Sequence, residues 1–157
     1  MTVSEADFER ALAGVEDSDM EQLMLGLTEA QPVVAAYVFA EGFQVLTEAE
    51  RAYMLFLVTS VWHTLRTTVS EALPTVTEEA LGAAEEANYT RLEGVRAKTF
   101  RDKLTIFFEH SAEEDLLAFL EDSLTLDEAD EEAVLTPEGQ LPIFIGVKSV
   151  ADCLLAP

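Results

Sequence analysis

The spacing of apolar side chains follows the period of helices along most of the chain. Phe8, Leu12 and Val15 recur at four and three residues, and Leu23 and Leu27, joined by Met20, repeat the pattern one segment later. Such spacings collect side chains on one face of a helix with 3.6 residues per turn. Phe100, Leu104, Phe107 and Phe108 form a clean i, i+4, i+7, i+8 face, and Leu116, Leu117, Leu120 and Leu124 form another. Segment 32–46 opens with Val33 to Ala40 and predicts a helix despite its β-branched content, with an interruption at Gly42. Ile143, Val147, Val150, Ala151 and Leu154 share one helical face. Pro142 and the run Ile143, Phe144, Ile145 leave a short strand open as an alternative before it.

Two segments depart from this simple amphipathic form. From Thr47 to Leu73 the apolar positions (Tyr53 to Val58, then Val61 and Trp62) run almost without relief. A helix apolar all round is buried on most sides, so 47–73 is expected to be the central helix, closed by Pro74. Glu78 to Val95 is the opposite, rich in Ala and Glu with only Leu81, Tyr89, Leu92 and Val95 to bury. It predicts a surface helix with a narrow contact stripe.

Helix starts are marked by Ser or Thr followed three residues on by an acid, which lets two orphan backbone donors be satisfied together. Ser4 with Asp7, Ser18 with Glu21, Thr47 with Glu50, Thr75 with Glu78 and Ser111 with Glu114 fit, and Thr136 precedes Pro137 at a first helical position. Strand signals are sparse, and neither repeats nor a Gly- or Ser-rich linker divide the chain. The expected fold is all-α: one compact domain, 1–157, of roughly six to eight helices packed orthogonally around 47–73. With 157 residues and 49% of them hydrophobic, the chain has ample material for one core.

Charge changes the picture of partners. There are 31 Asp and Glu against 9 Lys and Arg, a net charge of -22. Nucleic acid and acidic membrane surfaces are repelled by such a field, so neither is an expected partner. Solubility is the simplest account of the acidity. Adaptation to high salt is a second, favoured by the scarcity of Lys (Lys98, Lys103 and Lys148) and opposed by the many large apolar residues. An acidic surface that mimics nucleic acid to block a basic protein is a third. Five basic residues, Arg91, Arg96, Lys98, Arg101 and Lys103, fall within 91–103. They read as internal pairing with nearby carboxylates in preference to an anion or acidic-partner patch.

The single cysteine, Cys153, cannot form an internal disulfide and sits among apolar residues, so it reads as a small buried hydrophobe in a reducing compartment. The acidic N-terminal region lacks the pattern of a signal peptide. The run Ala52 to Leu65 falls short of the about 20 apolar residues that span a bilayer. A cytoplasmic protein is expected.

Motifs for chemistry are mostly missing. A di-metal bundle needs Glu three residues before His, but Ser60 and Phe107 precede His63 and His110. Two histidines also exclude a His-rich zinc site. Asp127 to Glu138 resembles a calcium loop in charge only, lacking the central Gly. Phosphate loops and nucleophile elbows are absent. Glu109, His110, Glu113 and Glu114 form the densest ligand-type cluster, although Ser111 breaks the helix that would align them.

The sequence therefore predicts a non-enzymatic acidic helical protein acting through protein–protein contacts, with no cofactor and no residue assigned to catalysis. The contact is with a protein partner or with a second copy, the Phe-rich helix 99–110 offering a surplus for a homodimer. The alternative is a small-ligand or metal-binding protein, enzymatic or not, with a pocket near His63 and Arg66 or near Glu109 and His110.

Overall fold

A computed structural model describes residues 2–126 and 134–156. The acidic stretch 127–133 lies outside the described residues, and with it most of the segment Asp127 to Glu138 that was compared with a calcium loop. Among the described residues the fold is eight α-helices with no strand: α1 (Glu5–Leu12), α2 (Asp17–Ala30), α3 (Pro32–Tyr37), α4 (Glu48–Thr68), α5 (Glu78–Leu92), α6 (Phe100–Glu109), α7 (Glu114–Leu124) and α8 (Pro137–Leu154). A single 3₁₀ turn, Glu41–Phe43, stands between α3 and α4.

The expected central helix is α4, but it shares the centre with α8. Every residue from Ile143 to Ala151 is buried, so α8 is enclosed on all sides over that length. Helices α1 and α2 pack on α4, α5 and α7 pack on α8, and α4 and α8 pack on each other. Contact between α1 and α7 closes the ring. The strand alternative at Ile143–Ile145 is not realised. Thr136 and Pro137 start a helix that runs through Pro142, which only leaves the carbonyl of Glu138, in the first turn, without its helical donor.

Small polar residues are tolerated inside α4 because the helix satisfies them itself. The hydroxyls of Thr59, Ser60 and Thr64 donate to the carbonyls of Leu55, Phe56 and Ser60, at 2.7–2.8 Å. Where α8 crosses α4 the two come close. A side chain at Gly146 would stand 2.4 Å from Met54 Cε and 3.0 Å from Phe43 Cζ.

The N-termini of these two helices meet on one buried carboxylate. Glu50 is fully buried, and its Oε1 accepts from the Thr47 N–H at 3.0 Å, completing the expected capping box of α4. Its Oε2 accepts from both the N–H (3.0 Å) and the hydroxyl (2.9 Å) of Thr136, the cap of α8. One side chain thus caps its own helix and fixes the cap of a helix 86 positions away.

Several boundaries differ from expectation. The start of α2 lies at Glu16, whose N–H donates to Asp19, and Ser18 falls inside the helix. Thr77, and not Thr75, caps α5, because Val76 is held in an extended segment by Gln31. The Gln31 amide accepts from Val76 N–H and donates to Pro74 C=O, both at 2.8 Å. Ahead of that strap, α4 ends at Thr68 instead of Leu73, where Val69 turns to extended backbone (φ -76°, ψ 130°). Ser111 does not cap α7; its hydroxyl accepts from Glu113 N–H, and α7 starts after Glu113. Segment 32–46 is helical only to Tyr37. Phe43 turns inward, edge-on to Tyr37 at 4.9 Å, which a continuous helix would not allow.

Two outcomes test the shared cap. Gly139→Ala would place a methyl carbon 1.8 Å from Glu50 Oε2, so it should cost about 1–3 kcal/mol in denaturant unfolding, far above what the helix propensity of Ala returns. A second test uses pH. Burial alone would raise the pKa of Glu50, but the hydrogen bonds from Thr47 and Thr136 outweigh it and hold it below the ordinary value. A depressed pKa adds stability that is fully present above the unfolded value of about 4.3 and is lost as pH falls through the folded value. Glu50→Gln should therefore be destabilised at neutral pH, and its deficit against the parent should shrink between about pH 5 and 3. A deficit independent of pH would contradict the charged cap.

Candidate functional site

Of the two histidine regions that the alternative reading offers as pockets, the first bonds to its own neighbour. His63 Nδ1 accepts from Arg66 Nε at 3.1 Å, and the Arg66 guanidinium lies 4.2 Å over the ring of buried Trp62. Burial, and then the charge of Arg66, holds the His63 pKa below its ordinary value, against the opposing bond with the Ala11 backbone. Neutral His63 is thus an acceptor for a cation that also covers the tryptophan. Asp7, Arg10, Thr67 and Thr68 line an open depression beside it.

The second cluster is dispersed by the fold. Glu113 accepts from Val3 N–H at 2.9 Å and Asp115 from Glu5 N–H at 3.0 Å, so these acids pin the start of the chain to α7. Glu109 and Glu114 are exposed. No three His, Cys, Asp or Glu side chains among the described residues could hold a metal ion together. Cys153 is buried as expected, and burial followed by the charge of Asp152 pushes its thiol pKa up.

His110, by contrast, is carried to a cleft that the sequence did not announce. Lys148 lies on α8 with 9% of its surface exposed. Its Nζ donates to Asn88 Oδ1 on α5 at 3.0 Å and to the Asp152 carboxylate at 2.9 and 3.1 Å. Asn88, only 2% exposed, donates in turn to Ser149 Oγ and Asp152 Oδ2, both at 3.0 Å. The Phe107 ring of α6 stands 5.5 Å from the ammonium. Around this cluster opens a cleft of about 250 Å³, lined also by Ala87, Arg91, His110 and Ser111. The signal for it was a lysine four residues before an aspartate on an otherwise apolar helix, with an asparagine among the alanines of α5. Helix α5 is the surface helix the sequence predicts, with only Leu81 and Asn88 buried, yet its contact with α8 is the most extensive between any two of the described helices.

The basic segment 91–103 is divided between roles. Arg101 pairs with Glu121 of α7 at 2.9 Å, the internal pairing expected, though its side chain is 81% exposed and the bridge contributes only about 0–1 kcal/mol. Arg91 lines the cleft, while Arg96 and Lys98 are exposed.

A groove of different character lies between α1 and α7, with a volume of about 320 Å³. Phe8 and Phe119 stack face to face at 4.3 Å and form its floor. Glu5, Asp115 and Asp122 form the rim. At Ser123 the groove meets Tyr53, whose hydroxyl donates to the Ser123 carbonyl and whose ring stacks on Phe56, 38% exposed. The surplus of Phe expected on 99–110 is not a free surface. Leu104 and Phe107 are buried, and Phe100 and Phe108 pack against the core.

The chain matches no protein-family model, no curated protein and no solved structure, so the functional reading rests on these geometries.

Asn88 supplies both a donor and an acceptor to buried groups of α8. Asn88→Ala should cost about 1–3 kcal/mol in thermal or denaturant unfolding, because Lys148 and Ser149 each lose a buried partner. A change below about 0.5 kcal/mol would mean that water replaces the amide without loss.

Proposed function

We propose that this protein acts without catalysis, through protein–protein contacts, and that the groove between α1 and α7 receives a basic amphipathic segment of a partner protein. The observation that carries this reading is the stacked Phe8–Phe119 floor beneath a rim of three carboxylates. Apolar side chains of the segment would cover the floor, and Lys or Arg at its edges would face Glu5, Asp115 and Asp122. Arg and aromatic anchors are the groups that such surfaces use most.

Of the two partners the sequence left open, charge supports the protein partner over a second copy. Two copies at -22 repel each other, and bringing their acidic grooves together brings carboxylates face to face. A basic segment instead gains from the long-range field, which raises its encounter rate and weakens as salt screens it beyond a Debye length of about 8–10 Å. No helix among the described residues is long and apolar enough to cross a membrane, which fits a role in contacts between proteins.

The test is fluorescence anisotropy with a labelled helical peptide of alternating Lys and Leu faces, against a Glu and Leu counterpart. The basic peptide should bind and the acidic one should not. Glu5→Lys/Asp122→Lys should weaken binding about tenfold or more, about 1.4 kcal/mol. Glu29→Lys/Glu79→Lys carries the same change in net charge on exposed positions elsewhere and should weaken it far less. Equal weakening by the two pairs would reduce the interaction to bulk charge and overturn the groove. A dimer in sedimentation analysis that Glu5→Lys/Asp122→Lys alters would assign the groove to a second copy instead.

A further inference from the structure

The cleft between α5, α6 and α8 is independent of that groove, and its chemistry is of the opposite sign. Lys148 and Asp152 form a pair at 2.9 Å, and the Asn88 amide bonds to both. The charges of this pair cancel within the cluster. Arg91, from the last turn of α5, then leaves the lining of the cleft with a surplus of one positive charge. His110 and Ser111 add an imidazole and a hydroxyl, each able to donate a hydrogen bond in its neutral form. A guanidinium presents its donors as a planar fork, which matches two oxygens of one carboxylate or phosphate.

Burying a lysine is expensive unless its bonds are complete, and an apolar residue at 148 would serve packing at least as well. The fold instead holds Lys148, nine-tenths buried, at the wall of an open cleft, with its ammonium fixed by Asn88, Asp152 and the Phe107 ring. We infer that this cleft binds a small oxyanion, the carboxylate or phosphate group of a small molecule. Arg91, His110 and Ser111 provide its contacts, and the charge-neutral cluster of Lys148, Asp152 and Asn88 forms a rigid wall behind them. At about 250 Å³ the cleft lies just below the usual range of about 300–1,000 Å³ for ligand pockets, which suits a compact molecule. The whole-molecule charge of -22 repels anions in general, which leaves this cleft as a local exception.

The experiment is a nuclear magnetic resonance titration of the full chain with inorganic phosphate, with acetate, and with sodium chloride at matched ionic strength. Phosphate or acetate should shift the Asn88 side-chain amide and the His110 ring saturably, with a Kd of about 1 mM or tighter, and chloride should not. Response to phosphate alone assigns a phosphate-bearing ligand, response to acetate alone a carboxylate, and response to both the oxyanion they share. Arg91→Ala should raise the Kd at least fivefold. Arg96→Ala removes the same charge from an exposed position outside the cleft and should leave the Kd unchanged. Both arginines are exposed, so neither variant threatens folding. Shifts that grow with ionic strength without saturating, or equal effects of Arg91→Ala and Arg96→Ala, would overturn the assignment.

Discussion

The carboxylate of Glu50 stands where the N-termini of the two innermost helices meet, and the placement of α8 on α4 depends on it. A buried carboxylate is tolerated only when its oxygens are filled, and here three donors from Thr47 and Thr136 fill them. The absence of a side chain at Gly139 is part of the same arrangement, since any Cβ there would occupy the space of Glu50 Oε2. Removing the carboxylate would leave partly buried donors at two helix starts without their acceptor, at a cost of up to about 1–3 kcal/mol each. The effect is therefore architectural: it fixes how two helices far apart in sequence begin together.

From that fixed start, α8 runs through the middle of the molecule and collects the other elements by chemistry that changes along its length. At Gln140 it donates to the carbonyl of Leu124, holding the end of α7. At Gly146 it lets Met54 and Phe43 approach. At Lys148, Ser149 and Asp152 it exchanges hydrogen bonds with Asn88 and so fixes α5. A polar cluster has one favourable geometry where an apolar contact has several, so the last of these sets the register of α5 on α8.

The two cavities that carry the functional proposals follow from this arrangement and differ in sign. The α1–α7 groove has an aromatic floor and an acidic rim, in keeping with the net charge. The α5–α6–α8 cleft gathers Arg91, Lys148 and His110 in a molecule with few cations. On the two proposals, a strongly acidic surface would repel anions outside the cleft and would attract a basic partner towards the groove from a distance.

By itself the sequence determined the helices, most of their faces and several of their caps. The 3.6-residue period of Leu104 and Phe107, or of Leu116 and Leu120, reports a buried stripe without reference to the partner. Capping at Ser4, Thr47 and Thr136 is a contact within three residues, so it too is legible locally. Tertiary structure alone decided what depends on long separations. Glu50 reads as an ordinary capping acid until α8 arrives, Gln31 holds the segment before α5 by bonds to Pro74 and Val76, and Phe43 breaks a helical pattern by turning inward. The candidate sites belong to this second class. Asn88 and Lys148 come from two helices and His110 from the cap at the end of a third, and Phe8 and Phe119 from two others. A cleft or groove is a relation between elements, and periodicity along one segment carries no information about which other segment will face it.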